Sequence, residues 1–487
     1  MARIPTPDFH SVKLSLAQSC IREVISRYSA VASASALAAD HPLMQAAGPV
    51  LDGIYTRDLI DAESAIETYK ANRAAQNLAN SGTSGLAEDC LDLLVQYALA
   101  WVFDDRDKEN EIESEFSENE CDPGWLDAVI TWLEYYWDGQ APQYVPPASN
   151  TDPAPIQLPP PASPDGLLRV GVLGDWGTGE PEALAVLDQL MRQAPDLIIH
   201  VGDIYYSGTE DECQSNFLIP LNAARRQYKA IPIYTMPGNH EYYSGGSGFY
   251  TILPQLNRGI EHATVQQNSF FCLQNDGWQL EGMDTGYNDH DILTVADDIT
   301  HLQADEAAWH QQQLANACDR QVILFSHHQL FSAFQTIGPA TSLGQSYQNP
   351  YLLQNLQTWR ADGNPKIVAW FWGHEHLLEV YAAPNPPGVE LATLGRCIGN
   401  SAFPVFNNLG DYTPQTQTIP LEPAPSFPND YVQTGDDGEV YASGYMLLTL
   451  GTDAGTADYY QVTFTGSVSG ATSQLLWSET IPAASQS

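Results

Sequence analysis

The hydrophobic rhythm of the chain changes twice. From about Ser11 to Trp137 apolar residues recur at helical spacing, as in LAEDCLDLLVQYALAWVF and WLDAVITWLEYYW, and predict an all-helical N-terminal domain over residues 1–139. Inside it, DDRDKENEIESEFSENECD reads as a solvated loop or helix face, because it lacks the glycine-pivoted oxygen pattern of a calcium loop. Residues 140–165 (QAPQYVPPASNTDPAPIQLPPPASP) are dense in prolines, which remove backbone donors and favour extended geometry, and predict a linker. From residue 166 to 487 the period shortens. LLRVGVLGD, DLIIHVGD, IPIYTMPGN, QVILFSHH and KIVAWFWGHEH are β-rich runs, with helical stretches such as EALAVLDQLMRQA and DEAAWHQQQLANAC between some of them, which predicts an α/β catalytic domain. YASGYMLLTL, DYYQVTFTG and QLLWSETI alternate like antiparallel strands and are expected to complete a second sheet of the same domain.

Each of the five β-rich runs stops at polar residues: Asp175, Asp203 with Tyr206, Asn239 with His240, His327 beside His328, and His374 with His376. Open α/β sheets bind ligands outside the carboxyl ends of their strands, so the five ends are expected to converge on one crevice. Together they form an oxygen and nitrogen donor set without thiolate, suited to iron, zinc or manganese. The set is too large for one ion, and a pair roughly 3.5–4 Å apart sharing a carboxylate suits phosphoryl transfer.

Composition narrows the classes further. The 487 residues carry 60 acidic against 19 basic side chains, a formal charge of -41, and such a field repels nucleic acid and anionic membranes. The charge is also what solubility or a salt-rich habitat would select. Seven scattered cysteines without CxxC spacing suggest neither a disulfide framework nor a zinc–thiolate site. No stretch has the roughly 18 continuous apolar residues that span a bilayer, and the N-terminus lacks a long apolar signal core, so a cytoplasmic protein is expected unless a leader has been removed.

The blocks GDWG, GDIYY, GNHE, SHHQ and GHEH, in this order between Leu167 and His376, resemble the five-block signature of calcineurin-like metallophosphoesterases. GDxxY is similar to the purple acid phosphatase branch, and GDWGTG with GHEH to its small, tartrate-resistant type. The resemblance implies a metallophosphoesterase-type β-sandwich flanked by helices, preceded here by the all-α domain. It also implies one metal held by Asp175, Tyr206 and His376, with Asp203 bridging to a second held by Asn239, His327 and His374. Most other branches have DxH in the first block; here Gly177 stands in that place, and the phenolate of Tyr206 fills the vacancy, favouring iron(III) beside divalent iron, zinc or manganese.

The implied reaction is hydrolysis of phosphate monoesters by a hydroxide on the metals, with a phosphodiesterase or nucleotide pyrophosphatase as the alternative and a non-catalytic binding or scaffold protein as the remote one. A small-molecule phosphate ester is the expected partner. His240 is expected not to bind metal but to contact a phosphoryl oxygen or assist the leaving group. Two departures stand out. Gln329 replaces the proline usual two places after the liganding histidine, and Thr336 stands where such enzymes carry a further histidine. Arg396 is expected as a surface or salt-bridge residue, with a phosphate clamp as the alternative; Glu241 and Glu375 are expected to orient neighbours, and Asp284 with Tyr287 to form a turn.

Overall fold

The short β-rich runs have one property in common: almost every residue in them is apolar, as expected of strands covered on both faces. The structure, a computed structural model, describes residues 106–118, 123–136, 139–291, 299–332, 348–361, 365–380, 394–403, 431–433, 439–441, 443–452, 454–464 and 466–481, with scattered positions from 93 to 100 and Ile337. Thr336, Cys20, Cys90 and Cys121 lie outside them, as does most of the expected helical domain. What is described of that domain is helical: α1 (Arg106–Glu118), which covers much of the acidic run, and α2 (Pro123–Tyr136).

The strands are β1 (Ile156–Gln157), β2 (Leu168–Leu173), β3 (Leu197–His200), β4 (Ile233–Thr235), β5 (Phe271–Gln274), β6 (Trp278–Met283), β7 (Gln321–Ser326), β8 (Lys366–Trp372), β9 (Leu378–Val380), β10 (Leu394–Ile398), β11 (Tyr431–Gln433), β12 (Glu439–Tyr441), β13 (Gly444–Leu450), β14 (Gly455–Thr463) and β15 (Thr472–Ile481). β11 and β12 pair with each other; the rest make a six-stranded sheet, β15-β14-β13-β2-β3-β4, and a seven-stranded one, β1-β5-β6-β7-β8-β10-β9. β2, β3 and β4 run parallel, as do β6, β7, β8 and β10. The alternating tail joins the first sheet through the antiparallel pairing of β13 with β2.

The sheets face each other across a core that includes Val170, Val172 and Met446 from one and Ile323, Phe325 and Phe371 from the other. Helices α3 (Pro181–Arg192), α4 (Ile219–Gln227) and α6 (Ser247–Leu256), the last preceded by the short α5 (Asn239–Tyr243), cover the outer face of the six-stranded sheet. Leu190 of α3 sits against Gly171, where an added Cβ would meet its Cδ1 at 2.8 Å, so glycine sets the helix–strand spacing. On the other sheet, α7 (Ala304–Ala315) and α8 (Pro350–Ala361) pack Leu314, Leu352 and Trp359 against Val322, Leu324 and Trp370. Each such side chain contributes roughly 1.5–3 kcal/mol by leaving water. The result is the helix–sheet–sheet–helix sandwich that the sequence led us to expect.

One connection differs from the sequence reading and one agrees with it. The proline-rich stretch belongs to the sandwich from Pro142 onward: Asn268 donates to the Val145 carbonyl at 2.8 Å, Trp309 to the Pro153 carbonyl at 3.0 Å, and Ile156 pairs with Leu273 in the sheet. Prolines lack donors but keep carbonyls, and these carbonyls are what the body of the domain binds. Arg396 in β10 makes a bidentate ion pair with Glu479 in β15, both contacts 2.8 Å, tying one sheet to the other. This is the salt-bridge reading, and it occupies the fork that a phosphate clamp would need.

Candidate functional site

All five polar strand ends meet at one place between the sheets. β2 ends two residues before Asp175, β3 three before Asp203, β4 four before Asn239, β7 one before His327 and β8 two before His374. Asp175, Asp203 and His374 have φ of 57°, 72° and 68°, a left-handed conformation that costs a non-glycine residue energy. It turns the chain sharply as it leaves the strand and aims these side chains at one another.

Two groups of donor atoms result. In the first, Tyr205 Oη lies 3.0 Å from Asp175 Oδ1, 3.1 Å from Asp203 Oδ2 and 3.0 Å from His376 Nε2, and His376 Nε2 is 3.3 Å from Asp175 Oδ1. In the second, Asn239 Oδ1, His327 Nε2 and His374 Nδ1 are each 3.2 Å from the other two, and His327 Nε2 is 3.3 Å from Asp203 Oδ1. Asp203 therefore gives one oxygen to each group.

The structure differs from expectation at one ligand: the phenol in the first group belongs to Tyr205, not Tyr206. Tyr206 contributes its backbone instead, its amide donating to Glu212 and its carbonyl facing His240. The two are adjacent in GDIYY, and only the direction in which each side chain leaves the backbone separates them.

The second group suits a cation by its lone pairs. His327 Nδ1 lies 2.9 Å from the Val201 carbonyl, which fixes its proton there and leaves Nε2 as an acceptor. Asn239 Nδ2 donates to Tyr243 at 2.6 Å, so Oδ1 is the atom turned inward. An imidazole lone pair, an amide oxygen and a carboxylate oxygen thus face one another, a repulsive set unless something positive sits among them. Metal bonds of roughly 2.0–2.2 Å place neighbouring ligand atoms about 3 Å apart, the spacing seen here. The potential also shows in the pKa of His327: burial lowers it, but Asp203, Asp175 and Glu241 more than reverse this and push it up to about 9.

The surrounding residues hold this geometry. Glu241 accepts from the amides of Gly238 at 2.8 Å and Asp203 at 3.2 Å, bracing the GNHE loop against the GDIYY loop. Burial and then the Asp203 charge push its pKa up to about 8. Ser332 donates to Glu375. Asp284 makes the expected turn by accepting from Tyr287 N at 3.0 Å, and it is also buried and accepts from Tyr242 at 2.6 Å.

His240 Nδ1 lies 2.5 Å from the Tyr206 carbonyl, so that nitrogen carries the proton and Nε2 faces the first donor group, 3.9 Å from Asp203 Oδ2. His328 is engaged at both ring nitrogens, Nδ1 at 3.0 Å from Thr285 Oγ1 and Nε2 at 2.7 Å from Asp289 Oδ2, and its ring packs 4.2 Å from that of His374. Sequence reasoning missed Thr285 and Asp289, and also Phe403, whose ring lies 4.3 Å from His376 and 4.7 Å from Tyr205. Nothing in the local sequence marks these three: Thr285 and Asp289 reach the site from the turn after β6, and Phe403 from the segment after β10.

Residues 168–378 match the family model of calcineurin-like phosphoesterases. The chain is 25% identical over 209 residues to the glycerophosphodiester phosphodiesterase GpdQ of Enterobacter lignolyticus, covering 42% of this chain and 64% of that relative. Among solved structures it resembles PhoD (TM-score 0.43, 13% identity, 68% of this chain and 71% of that one). It also resembles a dimetal phosphatase from Danio rerio (TM-score 0.37, 11% identity, 65% of this chain and 99% of that one). Among the described residues no helix is long and apolar enough to cross a membrane.

Proposed function

Because this chain carries a calcineurin-like phosphoesterase domain, we propose that it is a two-metal hydrolase of phosphoric esters. The observation that carries the reading is Asp203 with one oxygen in each donor group. Asp175, Tyr205 and His376 would hold one ion and Asn239, His327 and His374 the other, with Asp203 shared. Ions bound there supply an activated water and offset the phosphate charge. A phenol in the first group favours iron(III) there and a divalent ion in the second.

The remaining work falls to the chain itself. His240, with its proton held on Nδ1 by the Tyr206 carbonyl, presents Nε2 toward the substrate, where it accepts or returns a proton at the leaving oxygen. Glu241 fixes the two loops, and Phe403 with Tyr205 walls the first group off from water. The purple acid phosphatase resemblance favours monoesters, whereas a relative named as a phosphodiesterase supports diesters as the second reading.

Metal analysis of the purified protein and of Asp203→Asn tests this. We expect about two ions per wild-type chain, and loss from both groups with most of the activity in the variant. Two tightly held ions in Asp203→Asn would remove the bridging role, and fewer than two ions in the fully active wild type would remove the two-metal reading.

A further inference from the structure

The first donor group depends on which tyrosine of GDIYY enters it, and the backbone of that loop is held by one helical segment. Glu210–Glu212 and the wider turn Cys213–Leu218 run directly into α4, and Phe217, Leu218 and Leu221 anchor this stretch in the core that also contains Trp176. Two of its side chains reach the loop. Asn216 Nδ2 donates to the Tyr205 carbonyl at 3.0 Å, and Glu212 accepts from the Tyr206 amide, from Ser207 N at 3.2 Å and from Thr209 N at 2.9 Å. Both polar groups of the peptide joining Tyr205 to Tyr206 are therefore held, one by each residue.

The two holders are themselves fixed. Asn216 is buried, and its Oδ1 accepts from Ser215 Oγ at 2.7 Å. Glu212 also accepts from the Thr209 hydroxyl at 2.9 Å, and its own amide donates back to that oxygen at 3.3 Å, which locks the carboxylate in a capping box. From the other side of the loop, the Tyr205 amide donates to the Gly177 carbonyl at 2.9 Å. A Cβ at Gly177 would meet Ile204 Cα at 2.7 Å, so glycine is what lets the GDIYY loop approach the GDWG loop this closely. Clamped at amide and carbonyl, Tyr205 holds its phenol oxygen 3.0 Å from both Asp175 Oδ1 and His376 Nε2. Glu212 and Asn216 make these contacts to backbone, so they act on the first group through Tyr205.

We propose, resting on the two-metal reading above, that Glu212 and Asn216 are positioning residues that keep Tyr205, rather than Tyr206, in the first donor group and thereby set how tightly that group holds its ion. Residues that orient metal ligands account for roughly 10- to 100-fold in metal affinity. The second group rests on different braces, the Val201 carbonyl behind His327 and Tyr243 behind Asn239, and is insulated from the change.

The test reads the two groups separately in the full-length protein. His327→Ala leaves the first group to bind alone and His376→Ala leaves the second; each parent, stripped by a chelator, is titrated calorimetrically with zinc. Into each go Glu212→Ala, Glu212→Gln, Asn216→Ala and Asn216→Asp. We expect Glu212→Ala and Asn216→Ala to weaken zinc at the first group by roughly 10- to 100-fold and to leave the second close to its parent. Asn216→Asp, which keeps the shape but loses the donor, should match Asn216→Ala, and Glu212→Gln, which keeps one acceptor oxygen, should recover part of the loss. If Glu212→Ala or Asn216→Ala does not fold, the two conservative variants decide. With Tyr205→Phe added to the first-group parent, Glu212→Ala and Asn216→Ala should cost little more, because the phenol they position is gone. Equal weakening of both groups, weakening of neither, or losses that add fully to that of Tyr205→Phe overturn the positioning role and leave the hydrolase reading intact. Absence of zinc binding in both parents overturns the two-metal reading as well.

Discussion

Truncating His240 should separate chemistry from metal binding. Its backbone amide donates to Asp203 Oδ1 at 3.2 Å and survives substitution, while its ring contributes a hydrogen bond to the Tyr206 carbonyl and packs 4.6 Å from Tyr205 and 4.8 Å from Tyr243. None of these contacts is a ligand contact, so His240→Ala should retain both metals. Leaving the buried Tyr206 carbonyl without the imidazole costs about 1–3 kcal/mol of stability, which lowers Tm by several degrees without unfolding the chain. The effect on turnover should be larger. A positioned acid-base group contributes roughly 10²- to 10⁴-fold, or about 2.7–5.4 kcal/mol at 1.36 kcal/mol per decade.

That loss should depend on the leaving group, because an alkoxide must be protonated as it departs and p-nitrophenolate hardly needs to be. Paired assays therefore decide the matter: kcat of His240→Ala on an alkyl ester and on the p-nitrophenyl ester, with metal content measured on the same preparation. We expect a drop of roughly 10²-fold or more on the alkyl ester and a much smaller one on the aryl ester. Wild-type turnover on the alkyl ester, equal losses on both, or a protein stripped of metal would refute the reasoning.

Other substitutions address the remaining parts. If iron(III) sits in the first group, Tyr205→Phe should abolish the phenolate charge-transfer colour in the visible spectrum and Tyr206→Phe should keep it; the reverse result would restore the assignment read from sequence. Arg396→Met leaves Glu479 without its partner between the sheets and should cost about 3 kcal/mol, measured as a lower urea midpoint, with kcat on a phosphate ester unchanged at low temperature. A lowered kcat at unchanged fold would instead implicate the arginine in the site. His310, enclosed by Glu281 at 2.5 Å and Glu306 at 3.5 Å, is lowered by burial but pushed up to about 9 by those carboxylates. Its folded pKa lies above the unfolded value of about 6.5, so its stabilisation is complete below pH 6.5 and is lost as pH rises through 9. The interval of about 2.5 pH units at 1.36 kcal/mol each is on the order of 3 kcal/mol. Tm should accordingly fall between pH 6.5 and 9 in the wild type and be flatter in His310→Gln; parallel profiles would show that this group is not responsible.

The fold was legible because its determinants are local. Runs such as VILF and IVAWFW are apolar throughout, which doubly covered strands require, and the polar residues that follow them mark the site. The acidic run and the linker were harder to read, since composition reports solvation and stiffness but not what donates to a carbonyl of a proline-rich stretch. Asn268 and Trp309, which supply those donors, lie more than a hundred residues further along the chain. Long-range partners of this kind leave no local trace.

The same limit explains the two tyrosines. A motif spacing counts residues, whereas the side chain that enters the first group depends on how the backbone turns after Asp203, whose φ of 72° redirects the next three residues. The histidines of SHHQ illustrate the point from the other side. The second of them, His328, has both of its ring nitrogens held, by Thr285 and by Asp289. To protonate a leaving group it would have to give up a 2.7 Å contact with a buried carboxylate, whereas His240 has its Nδ1 tied to a backbone carbonyl and gives a proton from Nε2 once the ring has taken up a second proton there. Proton transfer therefore concentrates on His240, and His328 steadies the ring of His374, with which it packs. Truncating His328 should accordingly disturb metal affinity before it disturbs leaving-group dependence, the opposite order from His240.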